Sequence, residues 1–174
     1  MMKKFFITTI ILFVSIGFTN AQFFTGVNTI FAYPLNNNFI DFGIGSKVEV
    51  GYSINKNIDF NIAAGNFWFF GPVSHKMRFV KVKGKYNLLN KKITPFIGFS
   101  SGYFQERFDS PFGGVITTDF AVGVQPSVGA KIELEFVKRV FVNTELSYLK
   151  VFSIEELNII NFNLGLLYYF QVKK

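Results

Sequence analysis

Apolar and polar side chains alternate with a period of two along most of this chain. The clearest alternation runs from Asn158 to Val172, where apolar residues at every second position end in Tyr168 and Phe170. This period indicates a β-strand, because a helix places its apolar residues three or four positions apart. The length also suits a strand tilted across a bilayer, which needs about 9–11 residues. The segment therefore predicts a membrane-spanning strand.

Seven further segments alternate in the same way. They cover residues 23–33, 41–54, 58–65, 80–88, 93–103, 119–133 and 140–148. An even number of antiparallel strands, each with one apolar and one polar face, is typical of bacterial outer-membrane barrels. The pattern predicts an all-β fold, specifically an eight-stranded antiparallel up-and-down transmembrane β-barrel.

The connections between the predicted strands alternate in length. Short turns are predicted at 55–57, 89–92 and 137–139, and longer loops at 34–40, 67–77, 105–118 and 150–157. The turns and both chain ends are expected to face the periplasm, and the loops to face outside. Pro95 lies near a strand start, where it is tolerated, but Pro126 lies within a strand and removes a hydrogen-bond donor. We therefore predict a β-bulge or a bend at Pro126.

The N-terminus has the composition of a secretory signal peptide. Lys3 and Lys4 precede an apolar core at 5–18, and small residues follow it up to Ala21. The core is too short for a spanning helix, which needs about 20 residues, although a retained anchor is the alternative. We predict a signal peptide over residues 1–21 and one barrel domain over residues 22–174, exported to the outer membrane.

The composition agrees with a membrane barrel. The chain has 25 phenylalanines but, beyond the signal peptide, no apolar run long enough for a spanning helix. Because backbone in a bilayer must be hydrogen-bonded within a helix or a closed barrel, the barrel is the remaining architecture.

Several function classes are excluded by composition. The formal charge of +7 falls to +5 when Lys3 and Lys4 leave with the signal peptide, and the remaining lysines are dispersed, which argues against nucleic-acid binding. The absence of cysteine excludes disulfides and thiolate metal sites. The single His75 excludes a multi-histidine metal site, so no metal or cofactor is expected.

Aromatic residues occur at the predicted strand ends, as in the interfacial girdles that anchor barrels in lipid. The predicted girdle comprises Tyr33, Tyr103, Phe120 and Tyr148 at the outer interface and Phe23, Tyr52, Tyr86, Tyr168 and Phe170 at the inner one. A further aromatic run, Phe67, Trp68, Phe69 and Phe70, is assigned to the second loop. It either extends the outer girdle or forms a surface that binds a partner, since exposed apolar patches often mark interfaces.

Alternation alone does not say whether the apolar face points inward, as in a soluble lipocalin-like barrel, or outward to lipid. The apolar side chains are too bulky for an eight-stranded barrel, whose interior just accommodates side chains or one small ligand, so we expect the polar face inside. That face carries the charged residues Lys47, Glu49, Asp59, Lys81, Lys83, Lys85, Lys131, Glu133 and Glu145. Because an unpaired buried ion costs several kcal/mol, we predict a network of lysine–carboxylate pairs that closes the lumen. The alternative is a lysine-lined path for anions, which would make the protein a narrow solute or ion channel.

With these features the chain resembles the small eight-stranded outer-membrane proteins of the OmpX/OmpA type, and within them the PorT-like outer membrane protein β-barrel family. The resemblance covers the mature chain and rests on the signal peptide, the strand count, the loop asymmetry and the aromatic C-terminal strand. One departure is that residues 171–174 follow the terminal aromatic Phe170. The resemblance implies a monomeric, non-enzymatic protein with a structural, adhesion or envelope-assembly role. Its implied partners are outer-membrane lipid, the barrel-assembly machinery during insertion, and a protein or surface ligand at the outer loops.

Some eight-stranded relatives are lipid A-modifying enzymes that use a histidine with serine and acidic residues. Ser74, His75 and Asp109 fall in the predicted outer loops and could imitate that arrangement, although no family motif spacing is present. The alternative is an ordinary solvated loop. Gly43-Ile44-Gly45 lies inside a strand without a following helix, so it lacks the context of a nucleotide-binding loop.

Overall fold

A computed structural model describes residues 22–36, 41–71, 74–89, 91–109, 115–117, 120–152 and 157–170. The predicted signal peptide at 1–21 lies outside the described residues, as do 171–174, so the proposed cleavage after Ala21 stays a prediction. None of the described residues forms a helix with the length and apolar character needed to span a membrane.

Eight long antiparallel strands and one short strand form a single closed sheet. The strands are β1 Gln22–Pro34, β2 Phe42–Ser53, β3 Ile58–Phe70, β4 Ser74–Asn87, β5 Ile93–Asp109, β6 Val115–Thr117, β7 Ala121–Glu133, β8 Val140–Phe152 and β9 Leu157–Tyr169. Each long strand pairs with the next long strand along the chain, and β1 pairs with β9, so the sheet has no open edge. The three-residue β6 pairs only with the end of β5, at Arg107, Phe108 and Asp109. The predicted eight-stranded up-and-down barrel is therefore confirmed.

The C-terminal strand closes this barrel as its alternation predicts. It pairs with β1 in a register that sets Val27 opposite Leu166 and Phe31 opposite Phe162. These side chains point outward, and the rings of Phe31 and Phe162 stack with centroids 6.4 Å apart. Cross-strand pairs of this kind stabilise a sheet, so the strand contributes both closure and lipid-facing surface.

An apolar belt surrounds the barrel because the apolar face of every long strand points outward. Its exposed side chains include Val27, Ile44, Val48, Val50, Ile62, Val80, Val82, Ile97, Phe99, Val128, Leu146, Phe162, Leu164 and Leu166. A continuous belt of aliphatic side chains this extensive would not be stable in water, whereas it suits the hydrocarbon of a bilayer.

The two ends of the barrel differ in what they carry. We call the end at which β1 begins and β9 ends, with Ser53, Asn87 and Glu133, the turn end, and the opposite end, with Phe70, Asp109 and Phe152, the loop end. The predicted long loop at 67–77 is wrong, because β3 continues to Phe70 and β4 begins at Ser74. β5 likewise extends to Asp109, well into the predicted loop at 105–118. The strands extend further at the loop end than alternation indicated, so loop length alone does not separate the two ends.

The predicted bulge at Pro126 is also wrong. β7 pairs with β8 in one register on both sides of the proline, from Val124 opposite Lys150 to Ser127 opposite Ser147, without an extra residue. The ladder toward β8 has no pairs at Gln125 and Pro126, whereas Pro126 pairs with Phe99 on β5. The missing donor of proline thus interrupts one ladder locally and does not shift it.

Candidate functional site in the barrel lumen

The loop-end half of the lumen is filled by apolar side chains. We call this group the apolar plug, and it consists of Ile30, Ala32, Phe67, Phe69, Met77, Phe79, Phe104, Leu149, Val151, Leu157 and Ile159. Its rings pack in sequence, with centroid distances of 5.7 Å from Phe67 to Phe69, 5.2 Å from Phe67 to Phe79 and 5.8 Å from Phe79 to Phe104. The plug leaves the lumen dry at this level.

The aromatic run at the end of β3 therefore does not form the exposed loop that we expected. Phe67 and Phe69 are buried in the plug, whereas Trp68 and Phe70 point outward and are 41% and 48% exposed. The run alternates as a strand should, but both of its faces are apolar, so the sequence pattern carried no period-two signal. Trp68 and Phe70 continue the outer aromatic surface, and Phe70 stacks on Phe42 at 5.0 Å.

The turn-end half of the lumen is filled by charged and polar side chains. Lys83 on β4 lies 2.5 Å from Glu145 on β8, and Lys131 on β7 lies 2.8 Å from Asp59 on β3. Glu49 on β2 is shared by Lys47 and Lys85, each with a nitrogen–oxygen distance of 3.7 Å. The Lys83–Glu145 and Lys131–Asp59 pairs join strands on different sides of the barrel, so they connect the wall across its interior.

Eight of the nine charged residues predicted for the lumen are buried there. The exception is Glu133, which is exposed at the end of β7, at the mouth of the turn end. Glu133 does lie on the inward-facing set of positions in β7, but the strand ends at this residue, so the side chain reaches solvent. Lys81 differs from the other lysines because it donates a hydrogen bond to the amide oxygen of Gln125 and has no carboxylate partner among the described ion pairs.

Neutral polar side chains complete the contacts of the buried carboxylates. Asn28 donates to Glu49 Oε1 at 2.9 Å, and Asn61 donates to the other oxygen of the same carboxylate. Ser53 donates to Asp59 Oδ1 at 2.6 Å. These asparagines and serines were not predicted as network members, although their inward positions follow from the same alternation. They matter because a buried carboxylate is costly unless several donors satisfy its oxygens.

Aromatic faces contact the lysine ammonium groups. Lys85 Nζ lies 5.2 Å from the ring centroid of Phe96 and 5.9 Å from that of Phe24, and Lys83 Nζ lies 5.6 Å from Phe96. Such cation–π contacts stabilise an ammonium group away from water. They help to explain how the lumen holds more lysines than carboxylates.

The predicted girdle residues lie on the outer surface near the strand ends. Eight of them are exposed, and Tyr52 is half-buried against Phe23, with ring centroids 5.0 Å apart. Beyond the belt at the loop end, β4 presents the exposed side chains of Lys76 and Arg78, and β5 presents that of Arg107. Charged side chains at these positions indicate that this part of the barrel emerges from the apolar layer.

The proposed Ser74, His75 and Asp109 group lies on strands and not in loops. Ser74 pairs with Asp109 across β4 and β5, and His75 pairs with Phe108. His75 is 1% exposed, stacks on Phe69 at 5.0 Å and lies 3.9 Å from a Glu106 oxygen. Because burial disfavours the charged imidazole, the pKa of His75 falls to about 4. A histidine enclosed in this way is poorly placed to act on a lipid headgroup.

Metal chemistry has no support in the part of the chain that the structure describes. No three histidine, aspartate, glutamate or cysteine side chains in it come close enough together to hold a metal ion.

Comparison with known proteins identifies the architecture. No protein-family model matches the chain, and no curated protein matches its sequence. Among solved structures, Neisserial surface protein A superposes with a TM-score of 0.74 and 14% identity, covering 87% of this chain and 99% of that chain. The chain has the fold of a small outer-membrane β-barrel.

Two further solved structures have the same architecture. The outer membrane protein OprG from Pseudomonas aeruginosa matches with a TM-score of 0.63 and 10% identity, covering 87% of this chain and 97% of its own. Ail, the attachment invasion locus protein of Yersinia pestis, matches with a TM-score of 0.58 and 12% identity, covering 86% of this chain and 97% of its own. The resemblance to OmpX/OmpA-type barrels drawn from the sequence is confirmed at the level of the fold, and the predicted outer-membrane location agrees with these neighbours.

Proposed function

We propose that this protein is a closed outer-membrane barrel that acts through the surface at its loop end and does not conduct solutes. The observation that carries the proposal is the occupied lumen, with the apolar plug in one half and paired charges in the other. An ion on this path would have to leave its water beside Phe67, Phe79 and Phe104, and apolar constrictions of that kind exclude water and ions.

A conductance measurement tests the closed lumen. We expect the purified barrel to produce no discrete current steps in planar lipid bilayers. A Phe79→Ala/Phe104→Ala variant is the matched comparison, since it thins the plug without changing the charged half, and it should show brief openings. Stable steps from the wild-type barrel would instead establish the narrow channel that the lysine-rich lumen suggests.

The orientation of the barrel is the second part of the proposal. β1 begins and β9 ends at the turn end, as expected for a chain delivered from the periplasm, so the loop end with Lys76, Arg78 and Arg107 would face outside. The chain contains no cysteine, so single cysteines can be introduced without a background. In intact cells a membrane-impermeant maleimide should label Lys76→Cys but should reach Lys138→Cys at the turn end only after permeabilisation. The reverse labelling would overturn the orientation.

The partner at the loop end is proposed to be an anionic surface molecule. The exposed basic side chains of Lys76, Arg78 and Arg107 support this class, because Lys76 and Arg107 occupy directly opposite positions on β4 and β5. An anion between them would accept hydrogen bonds from both side chains. Ail has been solved in complex with a heparin analogue, sucrose octasulfate, which provides a probe. Binding that persists unchanged in Lys76→Gln/Arg107→Gln would exclude this surface.

The lipid-modifying enzyme is the remaining alternative. An enzyme of this kind would need His75. Because we propose a barrel without that activity, cells that carry His75→Ala should contain the same lipid A as cells with the wild-type protein. A change in lipid A confined to the variant would favour the enzyme over the structural barrel.

A further inference from the structure

A large open cavity lies at the turn end of the barrel, between the buried ion pairs and the turns. Its volume is about 1320 Å³, and it is lined by residues from all eight long strands and from all three turns. The buried floor includes Asp59, Lys131 and Tyr169, where Lys131 Nζ contacts the Asp59 carboxylate at 2.8 Å and the Tyr169 hydroxyl at 3.2 Å. The cavity is therefore a bowl with a fixed polar floor and not a passage through the barrel.

The lining of this bowl is strongly basic. Its positively charged members are Lys56, Lys91, Lys92, Lys131, Lys138 and Arg139, and its negatively charged members are Asp59 and Glu133. Lys131 contacts Asp59, and Lys92 contacts Glu135 just outside the lining. Even with Glu135 included, basic side chains exceed acidic ones twofold. Charges of one sign that converge on a concave surface concentrate ions of the opposite sign there.

Arg139 provides an independent indication that the positive charge is specific. Its φ is 72°, the only positive φ of a non-glycine residue in the described part of the chain. Glycine or asparagine would adopt this conformation more easily than arginine. The backbone is held in place because the Arg139 carbonyl accepts a hydrogen bond from the Tyr169 amide at 3.0 Å. An unfavourable backbone conformation retained at a cavity rim is typical of a residue whose side chain is needed.

We propose that the bowl at the turn end binds an anion that carries phosphate. Neutral donors in the lining, Asn55 and Asn57, suit the same chemistry, because phosphate oxygens accept bonds from amides as well as from ammonium and guanidinium groups. A phosphate group could arrive as a soluble anion or as the headgroup of an anionic phospholipid in the adjacent leaflet. The proposal goes beyond the surface role of the loop end and does not depend on it.

Calorimetric titration with inorganic tripolyphosphate tests the proposal on the full mature barrel in nanodiscs of zwitterionic lipid. We expect saturable binding that weakens as salt is added, because exposed charges are screened. Lys138→Gln/Arg139→Gly should weaken binding by about tenfold or more while the fold is kept, since glycine accepts the backbone conformation. Arg139→Lys keeps the charge and should remain within about threefold of wild type.

The control is Arg78→Gln at the opposite end of the barrel, which should bind as wild type does. Heat-dependent gel mobility shows whether each variant is folded. Repeating the titration in nanodiscs with phosphatidylglycerol separates the two sources: competition assigns the site to a lipid headgroup, and unchanged binding assigns it to a soluble anion. Absence of saturable binding would overturn the proposal, as would equal weakening by Arg78→Gln, which would indicate nonspecific attraction.

Discussion

The ion pair between Lys83 and Glu145 offers the sharpest test of how the lumen is stabilised. The two side chains meet 2.5 Å apart across the interior and are both nearly inaccessible to solvent. Glu145→Gln keeps the shape of the side chain and removes only its charge. Lys83 then loses its carboxylate, because the nearby Glu49 is already shared by Lys47 and Lys85. The variant therefore leaves an ammonium ion without its counter-ion in the lumen.

The size of the effect can be bracketed. Breaking a buried ion pair by removing one partner costs roughly 3–5 kcal/mol of unfolding free energy. The upper limit is about 5 kcal/mol, because at pH 7 an ordinary lysine can lose its proton for that cost. The remaining contact of Lys83 with the Phe96 ring at 5.6 Å offsets part of the loss. We expect a destabilisation of about 3 kcal/mol for Glu145→Gln, near the lower end of the range.

The chain contains a matched control at its surface. Lys92 and Glu135 also form a lysine–carboxylate pair, but their side chains are 75% and 71% exposed. Exposed pairs contribute about 0–1 kcal/mol, so Glu135→Gln should be nearly neutral. Urea unfolding of the refolded barrel in lipid vesicles, followed by the fluorescence of the single Trp68, measures both variants. Equal losses for the two variants would refute the assignment of stability to the buried pair. Lys83→Met/Glu145→Leu should recover most of the loss, because it removes both charges of this pair and leaves neither one buried alone.

Two further predictions follow from burial and from close packing. His75 lies beyond the apolar belt, and its lowered pKa of about 4 means that the unfolded chain binds a proton there more readily than the folded barrel. Stability should therefore fall as the pH drops below about 6.5, and between pH 7 and pH 5 the wild type should lose about 2 kcal/mol more unfolding free energy than His75→Gln. Parallel pH profiles of the two proteins would contradict this, and Glu106, which faces His75, would be the next residue to vary. For packing, Gly165→Ala would put a Cβ 2.2 Å from the Val27 carbonyl oxygen and should cost about 2 kcal/mol of unfolding free energy in the same urea assay. The control Gly84→Ala, whose Cβ would lie 3.5 Å from its nearest neighbour, should be neutral. Equal stability of the two variants would disprove the argument.

The belt and the strand count were predictable because one physical rule fixes both. Where one face meets lipid and the other meets a polar interior, every second residue must be apolar, as at Val48, Val50, Leu164 and Leu166. That rule also assigned Lys83 and Glu145 to the interior. It could not pair them, because they lie on β4 and β8, and only the closure of the barrel determines which inward side chains meet across it.

The apolar plug was not predictable from the same rule. At Phe67 and Phe69 the inward face is as apolar as the outward face, and at Met77 the outward neighbours are the charged Lys76 and Arg78. The pattern of apolar residues outward and polar residues inward is therefore lost, and the predicted strands end too early. The aromatic run at 67–70 was consequently assigned to a loop. A continuous apolar segment can be a strand with two buried or lipid-facing surfaces, and no sequence period distinguishes that case from an exposed hydrophobic loop.

The division of the lumen has a consequence for where function can reside. The apolar plug and the layer of ion pairs fill successive parts of the lumen with side chains that contact one another. Phe79 packs on Phe67, and Glu145 pairs with Lys83. A group committed to such internal contacts is costly to redirect to a ligand, because its partner is then left buried and unpaired. The exposed basic side chains lie at the two ends, around Lys76 and Arg107 at one and Arg139 at the other, where water can replace a contact that a ligand displaces. Substitutions that alter partner binding without altering stability should therefore map to these ends, and substitutions in the lumen should do the opposite.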